Sequence, residues 1–215
     1  MSMKRNLFIG ASQEALDVAK HVKSVIEDTK SNLLNIKVDI WKTTPWQNLK
    51  SALDSLNKNI DEYYYAIFIG YPDDKLEERG TNFWVTRDNT IFEFGLFFSR
   101  FCSERTFFLR PKNIAGSPEF KMLSDIGTSP FVHLYELKLN TTNQWTFKSF
   151  DSTQLLRFLT NEEKRLETIQ STPKQKLEQQ AKLIESELKE DNKNNEYYYN
   201  VSEKHLHIKL FMVYW

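Results

Sequence analysis

Apolar positions change their spacing along this chain in an order that alternates strands with helices. Residues 6–9 are a short apolar run closed by Gly10-Ala11-Ser12, the reading of a buried strand that meets a turn. Ser12 stands where it can cap the next helix, and Glu14 falls in the first turn, where the helix dipole favours an acid. Ala15, Leu16, Ala19, Val22, Val25 and Ile26 then recur at helical spacing. Ile36, Val38 and Ile40 alternate with polar partners up to Trp41, a second strand that Thr43-Thr44-Pro45 breaks. Leu49, Ala52, Leu53 and Leu56 predict a second helix over 46–59. Residues 63–69 form a continuous apolar run, which suits a central parallel strand covered on both faces, and Gly70-Tyr71-Pro72 stops it.

The stretch 73–87 is charged and reads as a loop. Asp88 or Asn89 then caps a third helix over 90–103, and 105–109 is a fourth strand. A loop segment over 111–130 carries Gly116, Pro118 and Gly127, and 131–137 reads as a fifth strand at the sheet edge. This alternation predicts an α/β fold in three layers, with a parallel five-stranded sheet flanked by helices. Beyond residue 150 the character changes. Two charge-rich helical stretches, 154–169 and 174–189, are separated near Pro173, and a polar linker leads into an aromatic tail over 197–215. The expected organisation is a domain over 1–150 and a helical C-terminal extension over 151–215, a connector or assembly element too thin to fold alone.

Composition narrows the chemistry. The chain has 215 residues and a formal net charge of zero, so bulk charge argues against a nucleic-acid coat or an anionic membrane surface. No apolar stretch is long enough to span a bilayer, and the short apolar run at the amino terminus is not a signal-peptide core. Cys102 is the single cysteine, so no intramolecular disulfide forms, and a reducing cytoplasm is the natural setting. Four histidines without a spaced cluster give no metal site.

Three segments should meet at the carboxyl ends of the strands, where open α/β sheets bind ligands. Gly10-Ala11-Ser12 allows close backbone approach at a helix N-terminus that favours phosphate, or is a plain turn. Asp73 and Asp74 are paired acids suited to ribose hydroxyls, or a solvated turn. The third is Arg87-Asp88-Asn89, followed by Glu93 in an otherwise apolar run. Ile91, Phe94, Phe98 and Phe101 are expected to pack on the sheet, with Glu93, Phe97 and Arg100 on a second stripe. By spacing alone, an exposed first-turn glutamate that answers the helix dipole is the plainer reading. Gly95 weakens the helix and hints at a close neighbour. Trp41 and Trp46 stack on a base or fill the core. His21 reads as a core histidine, His133 as an edge-strand residue and Cys102 as a packed thiol.

Together these residues resemble a known family. They are Phe8-Ile9-Gly10-Ala11-Ser12, Trp41, Ala66-Ile67-Phe68-Ile69 with Pro72-Asp73-Asp74, Arg87-Asp88-Asn89-Thr90-Ile91-Phe92-Glu93-Phe94-Gly95-Leu96-Phe97, Arg105-Thr106-Phe107-Phe108-Leu109 and Leu123-Ser124-Asp125-Ile126-Gly127. The series, over about residues 6–136, is similar to the bacterial TIR-like family of CBASS and Pycsar anti-phage effectors, including TIR–STING proteins. The family commonly has Gly-Ser-Ser where this chain has Gly10-Ala11-Ser12, and proline at Leu123.

The resemblance implies a flavodoxin-like TIR fold and NAD⁺ glycohydrolase activity with Glu93 as the catalytic acid. It implies Gly10, Ala11 and Ser12 on the phosphates, Arg87 and Asn89 on the pocket or nucleotide, and Trp41 and Asp73 as further substrate contacts. NAD⁺ is then substrate, with no separate cofactor and no metal. The implied partners are other TIR domains of the same kind and a cyclic-nucleotide-sensing domain or protein, with no nucleic acid and no membrane. Two other functions fit the residues: a non-catalytic TIR scaffold that signals by assembly, and a nucleoside hydrolase of the deoxyribosyltransferase kind.

Overall fold

The computed structural model of the protein describes residues 4–29, 34–41, 59–115, 117–123, 126–127, 129–142 and 144–168, together with Leu56, Leu177 and Ala181. The chain divides into two compact units, 1–163 and 164–215.

The first unit is built on its apolar runs. Strand β1 (Arg5–Ala11) buries Leu7, Phe8 and Ile9 completely, and runs two residues further than the apolar pattern, through Gly10 and Ala11. Helix α1 (Leu16–Glu27) buries Val18, Ala19, Val22 and Ile26, one face at helical spacing. Its N-cap position is Ala15, while Ser12 stands one turn earlier and holds the approach. Strand β2 (Ile36–Ile40) alternates as its sequence does, with Ile36, Val38 and Ile40 buried. The helix expected over 46–59 lies outside the described residues, apart from helical Leu56 and Asn59. A 3-10 turn over Ile60–Glu62 then enters β3 (Tyr65–Ile69), in which every residue is buried.

Next come β4 (Asp74–Glu78), β5 (Thr81–Val85), α2 (Asp88–Arg105), β6 (Thr106–Pro111), β7 (Glu119–Phe120), β8 (Val132–Leu139) and β9 (Trp145–Phe150). Helix α3 runs over 153–168. The main sheet has the order β2-β1-β3-β6-β8-β9. Its first five strands are parallel, and β9 pairs antiparallel with β8. The sheet therefore has six strands where five were expected, and β8 is not its edge. The turn that brings β9 back is tied by Asn140, whose Oδ1 accepts from the N–H groups of Thr142 (3.0 Å) and Gln144 (2.8 Å). His133 on β8 is consequently buried between the rings of Phe107 and Phe158, and burial lowers its pKa.

The stretch 73–87 is not a loop. β4 and β5 form a hairpin, and β5 pairs with β7 from the segment read as a loop over 111–130. The hairpin turns at Arg79 and Gly80, with φ of 50° and 79°, the two positive values that a two-residue turn matching strand twist requires.

Phenylalanines bind α2 to the sheet. Phe97 stacks on Phe8 at 4.8 Å, and Phe94 lies edge-on to Phe68 and Phe108. The packing stripe is Thr90, Phe94, Phe97 and Phe101, rotated from the expected Ile91, Phe94, Phe98 and Phe101 because Phe8 of β1 takes Phe97. Gly95 faces away from that stripe; it is exposed, and a Cβ built there meets nothing within 4 Å, so no described neighbour demands glycine. Cys102 is exposed rather than packed, because the backbone leaves helical geometry there with φ 57° and ψ −174°.

The first unit extends past residue 150 because α3 buries Leu155, Leu159 and Glu163 against it. Glu163 is balanced by Arg5 Nη1 at 2.5 Å from Oε2 and by the Tyr65 hydroxyl, which donates to Oε1 at 2.7 Å. In the second unit, 164–168 is helical, as are Leu177 and Ala181; the rest of the helix expected over 174–189 and the tail over 197–215 lie outside the described residues. Among the described residues no helix is long and apolar enough to cross a membrane.

Candidate active site

The order β2-β1-β3-β6-β8 reverses direction between β1 and β3. At such a switch point the connections leave the sheet on opposite faces, and a crevice opens beyond the carboxyl ends of the two strands. Gly10, Ala11 and Ser12 finish β1 there, and Gly70–Asp73 leave β3 there. Gly10 pairs with Phe68 and Ala11 with Ile69, so both belong to the ladder rather than to the turn. A Cβ on Gly10 would lie within 2.5 Å of two Phe68 ring atoms, which is a packing reason for glycine. The turn after β3 is fastened by two phenols: the Tyr135 hydroxyl donates to Gly70 O at 2.7 Å, and that of Tyr71 donates to Trp145 O at 2.9 Å.

Ser12, buried, joins the two strand ends. Its hydroxyl donates to Asp73 Oδ1 at 3.1 Å and accepts the Ala15 N–H at 3.3 Å. Asp73 Oδ2 is buried and has no hydrogen-bond partner among the described residues. Burial raises the Asp73 pKa to about 6, against the lowering effects of the Ser12 hydrogen bond and the Arg87 charge. Arg87 stands at the N-cap position of α2 without a side-chain cap bond, so neither Asp88 nor Asn89 caps the helix. Its Nη2 pairs with Glu14 Oε1 at 2.8 Å across a half-exposed gap, and the field of Asp73 raises its pKa.

Glu93 lies two turns into α2, about 9 Å along the axis from Arg87 at 1.5 Å per residue. It borders the buried stripe, one turn from both Thr90 and Phe97, and is half-buried. It makes no hydrogen bond or ion pair with any described residue, and burial alone raises its pKa to about 7. Carboxylates this deep are ordinarily paired. A half-buried acid without a partner among the described residues is the arrangement expected of a group whose charge is used on a ligand.

Of the other candidate residues, Asn89 is exposed on the first turn of α2, and Trp41 is half-buried with its ring edge-on to Phe8 at 6.2 Å. Trp46 lies outside the described residues. Ser12, Asp73 and Arg87 are thus brought together; Glu93 makes no hydrogen bond to them. The sequence reading missed Glu14 as the partner of Arg87. It also missed Thr86, whose buried hydroxyl has no partner among the described residues and lies against Gly70.

Comparison with known proteins identifies relatives of the chain. The family described as CAP12/Pycsar effector protein, TIR domain, matches residues 6–130. The chain is 36% identical over 107 residues to the Pycsar effector protein PaPycTIR of Pseudomonas aeruginosa, covering 50% of this chain and 33% of that protein. It is 33% identical over 105 residues to the CD-NTase-associated protein 12 of a Lachnospiraceae bacterium, covering 49% of this chain and 31% of that protein. Over 144 residues it is 28% identical to the Pycsar effector protein BcPycTIR of Burkholderia cepacia, covering 64% and 43% respectively. The chain thus matches about a third of the length of the first two relatives. With more than half of its residues inside the matched span, the chain belongs to the family of CAP12/Pycsar effector TIR domains.

Proposed function

We propose that the protein is an NAD⁺ glycohydrolase effector of a bacterial anti-phage defence system, cleaving the nicotinamide–ribose bond once copies of the domain have assembled. The observation that carries this reading is Glu93: half-buried, unpaired among the described residues and pushed up to about 7 by burial. When the glycosidic C–N bond breaks, its electron pair leaves with nicotinamide, and positive charge develops on the ribose ring. An ionised Glu93 stabilises that charge or orients the ribose hydroxyls; water then adds to C1′ and releases a proton. Nicotinamide departs neutral, so the reaction needs no strong general acid, in keeping with a single carboxylate.

Ser12 and Asp73 sit where the rest of the nucleotide would lie, and Arg87, Asn89 and Trp41 border it. The relatives' names, Pycsar effector protein and CD-NTase-associated protein, support an effector role. A cyclic-nucleotide-sensing domain or partner protein would supply the trigger, transmitted through the extension beyond residue 150. Chromatography of NAD⁺ products at assembling protein concentrations tests the reading. Wild type releases nicotinamide, faster as pH rises through about 7 because the ionised carboxylate is the active form. Glu93→Gln releases none; equal release by that variant would sink the catalytic assignment of Glu93, and no release by either protein would point instead to a scaffold that signals by assembly.

A further inference from the structure

We propose that Asp73 grips a ribose hydroxyl of the bound nucleotide, with Ser12 as a positioning residue that holds the carboxylate so that Oδ2 faces that hydroxyl. The proposal rests on the NAD⁺ reading and assigns one sugar contact within it.

The hydrogen bonds around Ser12 are the starting point. Its one proton goes to Asp73 Oδ1 at 3.1 Å, and it takes the Ala15 N–H at 3.3 Å. The hydroxyl therefore has no proton left for a phosphate oxygen, and its work is to fix Asp73. The backbone N–H of Asp73 is tied to Tyr71 O at 2.8 Å, and the turn that carries it is fastened by Tyr135 and Tyr71. Asp73 is thus held from both its backbone and one carboxylate oxygen. The other oxygen, Oδ2, is buried and bare. A buried acceptor without a donor is costly, and a ligand that brings a donor recovers that cost on binding.

The surroundings decide which donor. Glu14 before α1 and Asp74 on β4 add negative charge, Arg87 before α2 adds positive charge, and that guanidinium is paired with Glu14. The phenols of Tyr71 and Tyr135 also feel the Asp73 charge. A phosphate would bring further negative charge and, at neutral pH, no proton to share with Oδ2. A sugar hydroxyl brings a donor and no charge. A carboxylate just past a strand of an open α/β sheet is also well placed to meet the sugar of a nucleotide in the switch-point crevice. The Asp73 pKa of about 6 leaves the carboxylate ionised above that value, so the hydroxyl contact is strongest there and weakens as pH falls through it.

The test is titration calorimetry on Glu93→Gln protein, which retains NAD⁺ without cleaving it. The probes are NAD⁺ and NAD⁺ analogues that each lack a single ribose hydroxyl. One analogue is expected to bind about ten- to a hundredfold more weakly than NAD⁺, the cost of a hydrogen bond to a charged acceptor. In Glu93→Gln/Asp73→Ala that analogue and NAD⁺ bind alike. Glu93→Gln/Asp73→Asn keeps the shape of the side chain, binds with affinity flat across pH 5–8, and serves if the alanine variant does not fold. The same discrimination with and without Asp73 overturns the proposal and leaves the NAD⁺ reading standing. Affinity that rises as pH falls below about 6 assigns Oδ2 to a phosphate and overturns it too. Failure of the wild-type and Glu93→Gln proteins alike to bind or cleave NAD⁺ overturns the NAD⁺ reading itself.

Discussion

Glu163 and Glu93 are glutamates on two helices packed against one sheet, and the fold treats them in opposite ways. Glu163 is 1% exposed, yet both carboxylate oxygens are engaged, one by Arg5 and one by Tyr65. That cluster sits at the amino ends of β1 and β3. Glu93 is less deeply buried and has no partner among the described residues, and its pKa rises to about 7. Asp73, at the carboxyl end of β3, repeats the second pattern with one oxygen held and one bare. Depth of burial therefore does not decide whether an acid is paired; what differs between these acids is whether the described protein supplies the partner.

Stability measurements can break that comparison. The largest effect is expected for Glu163→Ala, which strands Arg5 and the Tyr65 hydroxyl. Denaturant unfolding should show a loss of about 3–5 kcal/mol, the range for breaking one side of a buried pair. A loss near zero would mean that Glu163 is solvated and the contrast false. Glu93→Gln should act in the opposite direction. Because the folded pKa lies above the unfolded value of 4.5, the folded state binds the extra proton, and stability falls as pH rises from about 4.5 through 7. Above pH 7 the whole penalty is present, so the neutral glutamine should stabilise by about 2 kcal/mol, at roughly 1.4 kcal/mol per unit reduced for partial exposure. The gain should vanish below pH 4.5, and a glutamine variant no more stable than wild type at pH 8 would count against an unpaired Glu93. The smallest effect belongs to Glu14→Gln, which breaks an ion pair at the same edge as Asp73. Both partners are half-exposed, and thermal melts should register at most about 0.5 kcal/mol.

The central strands were legible because β1 and β3 bury nearly every side chain, and continuous apolar runs have no other use in a sheet. β4 was not, because all five of its residues are exposed, and charge without periodicity reads as loop. Its turn was hidden as well, since arginine holds a positive φ that usually signals Asn, Asp or Gly. The phase of α2 was misread because phenylalanines stand at 92, 94, 97, 98 and 101, around most of the helix, and only contact with Phe8 selects the buried face. The meeting of Ser12 with Asp73 followed from reading both as strand ends. The pairing of Arg87 with Glu14 did not, because the two are 73 residues apart and nothing local links them.

Asp73 and Arg87 stand just outside the two feet of the β4–β5 hairpin, where Asp74 pairs with Val85. Their separation is set by that first cross-strand pair and owes nothing to what lies beyond it. Each residue pair added toward Arg79 and Gly80 would lengthen the arm by about 3.4 Å and leave its base unchanged. The hairpin is therefore a part whose size can drift between lineages, growing or shrinking two residues at a time, while the spacing of the two side chains at its root is inherited intact.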